Sequence, residues 1–163
     1  MFNGSGSNTV LDYQIDRFQL GTSGKDGTTP DSSLETSATY SLSGQLSSVA
    51  QYGAGSNMYI EDATQIKNGV NTLNQFFPLI PPSKITKISD ASVRYTLVVD
   101  EAACNNLKGS GNEDVNLNEI GLFMKNPRGD SSPNASILVA YRVFNNVLKT
   151  SDFSLIFRWT LNF

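Results

Sequence analysis

The 163-residue sequence contains no histidine and one cysteine, Cys104. Without histidine, Ser-His-Asp and Cys-His nucleophilic catalysis are excluded, as are the His-containing zinc and iron sites. One thiol makes neither an intrachain disulfide nor a cysteine metal cluster. Following Ala102 and Ala103, Cys104 is expected to fill a small half-buried space rather than to react. Charge is also scarce: 17% of the residues are charged, and the 12 basic ones are scattered through a chain of net charge −3. Nucleic-acid binding normally needs a basic face that displaces counterions from phosphates, so no nucleic-acid partner is expected. No apolar run approaches the roughly 18 residues that cross a bilayer, so no membrane partner is expected either. Met1 to Asn8 has neither the basic start nor the apolar stretch of a signal peptide, which leads to the expectation of a chain made in the cytoplasm.

Phosphate-cradling loops are missing as well. Gly21-Thr22-Ser23-Gly24 is not followed by Lys-Ser or Lys-Thr and lacks a strand–loop–helix setting. Carboxylates are what remains. Glu61-Asp62, Asp100-Glu101 and Glu113-Asp114 are adjacent acidic pairs, but neighbours on an extended chain point to opposite faces. Solvated loop acids are the expected reading of all three. Oxygen ligands are dense in Asn112-Glu113-Asp114-Val115-Asn116, yet the spacing of a calcium loop is missing. The expectation is therefore no catalytic residue, no cofactor and no metal: not an enzyme.

What the chain does have is Ser, Thr, Asn and Gly, residues suited to turns more than to helix interiors. Met1 to Thr9 reads as a flexible lead-in, and residues 10–163 as a single β-rich domain. Leu11, Tyr13 and Ile15 alternate with polar residues, then Phe18 and Leu20 continue on the other parity, as in a strand with a bulge. Ala63, Ile66, Val70 and Leu73 recur at three- and four-residue steps behind Glu61 and Asp62, a pattern for a short amphipathic helix. Phe76-Phe77-Pro78-Leu79-Ile80 is extended by its prolines; Phe76, Phe77, Leu79 and Ile80 form either an exposed apolar contact or a segment lying on the core.

Val93 to Val99 and Leu117 to Met124 are strand candidates. Ile137 to Phe144 is apolar on both parities except at Arg142, which predicts a central strand covered on two sides. Phe153, Leu155, Phe157, Trp159, Leu161 and Phe163 occupy every odd position of the final stretch, the period of two that places them on one face of a sheet. That face is expected to be core rather than a sugar-stacking platform, with Arg158 opposite it. The expected fold is mainly β: an antiparallel β-sandwich or jelly-roll-like domain with long loops and room for one short helix.

Three stretches, in order, resemble virion proteins of tailed phages, of the tail, baseplate and fibre-attachment type. The first is Leu20-Gly21-Thr22-Ser23-Gly24 followed by Pro30-Asp31-Ser32-Ser33-Leu34-Glu35. The second is Asn118-Glu119-Ile120-Gly121-Leu122-Phe123, similar to the family's Glu-Ile-Gly-Leu-Phe strand. The third is Lys149-Thr150-Ser151-Asp152-Phe153-Ser154-Leu155, running on to Arg158-Trp159-Thr160-Leu161-Asn162-Phe163. Ser23 separates Thr22 from Gly24 where the family has Thr-Gly directly. Gly121 is expected to make room for another backbone or a bulky residue, and Glu119 to hold a turn or to pair with a lysine or arginine. The resemblance implies a structural role in the virion, with other phage structural proteins as partners and a symmetric homo-oligomer in the particle. Two other roles stay open: capsid decoration, and a carbohydrate-binding receptor module.

Overall fold

The computed structural model describes residues 14–26, 29–33, 42, 44–46, 48–53, 58–61, 66–67, 70–71, 75–124 and 136–163. The expected lead-in, Met1 to Thr9, lies outside them, as do Leu11 and Tyr13. Chain order begins with β1 (Ile15–Gly21), the short β2 (Lys25–Asp26) and β3 (Thr29–Pro30), and a one-turn helix α1 (Val49–Tyr52). There follow β4 (Met58–Glu61), β5 (Ile66–Lys67), β6 (Val70–Asn71) and β7 (Gln75–Pro78). The second half carries β8 (Ile85–Ser89), β9 (Ser92–Val99), β10 (Leu117–Met124), β11 (Ile137–Val147) and β12 (Leu155–Asn162).

The chain is mainly β. Two antiparallel three-stranded sheets, ordered β1-β10-β11 and β12-β9-β8, form its frame. Phe18 and Leu20 of β1 and Ile120 and Leu122 of β10 share one apolar cluster with Tyr95, Leu97 and Val99 of β9, so the sheets pack face to face as a sandwich. Phe144 of β11 meets Phe157 of β12 across it, with ring centroids 5.2 Å apart. The other face of the first sheet carries a second cluster, in which Phe77 packs edge-on against Phe123 beside Leu42 and Tyr141. That sheet is thus covered twice and the β12-β9-β8 sheet once.

The parity change in β1 is a bulge: its pairing with β10 shifts between Ile15 and Arg17, which lets Phe18 and Leu20 reach the core after Ile15.

Two expectations are corrected. The stretch from Glu61 to Asn74 is not a helix where it is described: Glu61 ends β4, and β5 pairs with β6 through Ile66–Asn71 and Lys67–Val70. The residues between Lys67 and Val70 are Asn68 and Gly69, the dipeptide most favoured in two-residue hairpin loops, and that local preference outweighs a sparse helical periodicity. The short helix sits instead at Val49–Tyr52, closed by a capping box in which the Ser48 hydroxyl accepts from Gln51 N–H while the Gln51 side chain accepts from Ser48 N–H. The second correction concerns β11, which is covered on both faces as expected but stands last in its sheet order instead of in the centre, with Ile137 and Val139 exposed. The central, doubly covered strand is β10, buried at every position but Met124. Apolar residues on both parities report apolar surroundings, not which neighbour completes the sheet.

Candidate functional site

The sequence motifs come together around β10. Glu119 is fully buried and acts as an acceptor for two loops and for β11. Its Oε1 accepts from the backbone N–H of Ser23 at 3.1 Å and of Gly44 at 2.5 Å, while its Oε2 accepts from the Tyr141 hydroxyl at 2.5 Å. Asn118 beside it accepts from Gly24 N–H at 2.7 Å and donates to Asn146 at 3.0 Å. Backbone bonds from Thr22 N–H to Gly44 C=O and from Leu46 N–H to Leu20 C=O, both 2.9 Å, stitch the same two loops together. A buried carboxylate is costly unless each oxygen finds donors, and here backbone amides supply them.

Glycine is required where this arrangement is tightest. A Cβ on Gly21 would overlap the Glu119 carboxylate, and one on Gly24 would stand 2.5 Å from the Asn118 carbonyl oxygen. Gly121 has bulky neighbours, as expected: a Cβ there would meet Leu42 at 2.6 Å and Leu138 at 2.9 Å.

The third motif holds a second clamp. Lys149 is buried and donates from Nζ to Asn105 Oδ1 at 2.8 Å and to the Thr150 carbonyl at 2.7 Å, with Nζ 5.4 Å from the centre of the Phe153 ring. The Lys149 carbonyl in turn accepts from Asn106 N–H at 2.8 Å, fixing the start of the last strand to the turn around Cys104. Cys104 is fully rather than half buried, and that burial pushes its thiol up to about 12 against the opposing charge of Lys149, so the thiol stays protonated and inert. Glu101 nearby is exposed; a hydrogen bond from Ser154 holds its carboxyl below the usual range, with Lys149 adding to the effect. Both clamps hold chain segments together and present no open reactive group.

No group of three or more Asp, Glu or Cys side chains among the described residues is placed to hold a metal. In the expected oxygen-rich loop, Asp114 is bound to Lys108 Nζ at 2.5 Å and the Glu113 carbonyl accepts from Gly109 N–H at 2.9 Å, making a tight hairpin.

Comparison with protein-family models, curated proteins and solved structures gave no match. The surface itself therefore has to indicate function. Of the predicted contact residues, Phe77 is 0% and Ile80 4% exposed; both are core, and the exposed-contact reading is corrected for them. Phe76 and Leu79 are half-buried. Proline geometry made the segment extended, but β7 pairing with β4 turns Phe77 inward onto Phe123. Leu79 and Pro81 line two shallow grooves of about 270 and 400 Å³ on either side of their segment.

Exposed apolar side chains lie elsewhere, including Ile88 on β8 and Val98 on β9, the latter directly opposite Ile156. Ile137 and Val139 lie on β11 and Ile156, 53% exposed, on β12; Leu148, Phe153 and Phe163 flank those strands. Both strands are sheet edges, and they face each other across the sandwich at Phe144 and Phe157. The odd-numbered side chains from Leu155 to Leu161 are only half-buried, and Phe163 is 77% exposed. Leu155, Phe157, Trp159 and Leu161 pack against the core cluster, as expected, and are half-buried at the margin of the sandwich, while Phe153 and Phe163 at the two ends of the stripe are exposed. Arg142 and Arg158, on these same strands, are exposed.

Proposed function

We propose that this chain is a non-enzymatic structural component of a tailed-phage virion, an assembly or adaptor protein of the neck, tail, baseplate or fibre attachment, that works by docking onto other phage structural proteins. The observation that carries the reading is the apolar rim along β11 and β12. Exposed apolar surface along sheet strands is a liability for a free monomer and an asset for a subunit that is covered on assembly. The motifs that resemble tailed-phage proteins support it from a second side. Leu20 to Gly24 and Asn118 to Phe123 meet at Glu119, and Lys149 anchors the last strand, so the shared residues build a frame that presents this rim. Frame residues and surface rim suit a protein that acts through shape and buried area.

The test is immunogold labelling of purified particles with antibody to this chain, alongside mass spectrometry of their protein content. Label at the tail, neck or fibre base is the expected result. Label over the head would replace the adaptor role with capsid decoration, and particles that lack the chain would overturn the virion assignment.

A further inference from the structure

β8, β11 and β12 stand last in their sheet orders among the described residues, β11 with β3 lying against it, and they differ in how well they are protected. β8 is short, carries Lys87, and has a register shift between Lys87 and Ser89. β11 is irregular against β10 at two places. β12 runs beside β9 through an unbroken ladder from Leu155–Val99 to Asn162–Ser92, and among the described residues no strand pairs with its other side. It contains no proline, no glycine, no bulge and no lysine, the features that usually keep an edge from adding another strand. Only Arg158 is charged.

We infer that β12 of one copy pairs antiparallel with β12 of a second copy, about a two-fold axis at Trp159, extending the β12-β9-β8 sheet across both molecules. The inference rests on the assembly role proposed above and names a partner for that rim. Side chains directly opposite in an antiparallel pair share a face, so an interface that keeps apolar beside apolar must match odd residues with odd. The register that pairs all of Leu155–Asn162 end to end fails this, because it sets Phe157 beside Thr160. One step away, centring on Arg158 sets guanidinium against guanidinium. Centring on Trp159 instead matches Leu155 with Phe163, Phe157 with Leu161, and Trp159 with its own copy. On the other face Arg158 meets Thr160 and Ile156 meets Asn162. The half-buried odd row and the exposed Phe163 then continue into the same row of the second copy. A self-complementary patch of this kind closes as a dimer.

Thr160 is exposed, and its only hydrogen bond among those described is a long one from Arg94, so it can be changed without touching the core. Thr160→Glu places a carboxylate opposite the second copy's Arg158, twice per dimer; Thr160→Arg places a like charge there. Sedimentation of the purified full chain over the micromolar range is expected to show a monomer–dimer equilibrium. At low salt, Thr160→Glu should tighten it about fivefold and Thr160→Arg weaken it about fivefold, from two cross-strand charge pairs. Thermal unfolding should confirm that both variants remain folded. A chain that stays monomeric at its solubility limit, or a dimer indifferent to both substitutions, would overturn the pairing. Particle content is a separate readout: loss of the dimer with the chain still present in particles refutes only the β12 pairing, whereas an intact dimer absent from particles refutes only the virion role.

Discussion

Glu119 shows how one side chain can organise distant chain. Its two oxygens serve donors from the loop after β1, from the segment at Gly44 and from β11. Removing the carboxylate takes an acceptor from the buried Tyr141 hydroxyl and from two part-buried amides, so Glu119→Ala is expected to lower the unfolding free energy by about 2–3 kcal/mol in urea titrations. Glu119→Gln should cost less, because its oxygen can accept from the two amides while its nitrogen donates to the Tyr141 oxygen. Gly21→Ala should also destabilise, since its Cβ overlaps this carboxylate. Combined with Glu119→Ala the loss should be clearly less than additive, because the obstacle has gone; a fully additive double mutant would show that Gly21 is constrained by something else. Glu119 and Gly121 were legible as special in the sequence, the one as holding a turn or pairing with a lysine or arginine, the other as a place of close approach by another backbone or a bulky residue. The partners were not, because amides at positions 23 and 44 reach Glu119 only once β1 has paired with β10.

At the scale of elements, β7 and the residues after it separate core from surface. Phe77→Ala empties a site closed by Phe123 and Leu42 and is expected to cost about 3–5 kcal/mol, whereas Leu79→Ala, at a half-buried groove wall, should cost under about 1.5 kcal/mol. Equal losses in denaturant titrations would mean that the two side chains are covered alike. Alternation made β9 and β12 readable residue by residue, and the parity change in β1 announced its bulge. Between Ala63 and Leu73 the sparse apolar spacing resembles a helix, whereas Ile66–Lys67 and Val70–Asn71 pair as strands on either side of an Asn-Gly dipeptide. β11 and β10 exchanged roles for a different reason: a strand's own residues record how apolar its two sides are, while its place in the sheet depends on strands far away in sequence.

For the whole molecule, the buried acids set a limit on the alkaline side. Desolvation raises the Cys104 thiol from an ordinary value of 9.0 to about 12 and raises the Tyr52 hydroxyl well above its ordinary 10.0. A group that holds its proton more tightly when folded contributes stability that is complete below the unfolded pKa and is lost as pH rises past it. Stability is therefore expected to be level from neutral pH to about pH 8 and to fall from about pH 9 upward, and Cys104→Ala should flatten the first part of that fall in urea titrations run at stepped pH. An unchanged slope would show that the thiol does not titrate with unfolding. By itself the sequence determined the class: period-two alternation and turn-rich connections make sheets, and the lack of histidine removes the common nucleophilic and metal chemistries. Tertiary structure alone decided which strands close the sheets and which remain open, since pattern fixes the face a side chain takes but only packing decides whether anything covers that face. The apolar row of β12 is the case in point: its alternation places it against the core, and its position last in its sheet order leaves it only half-buried there.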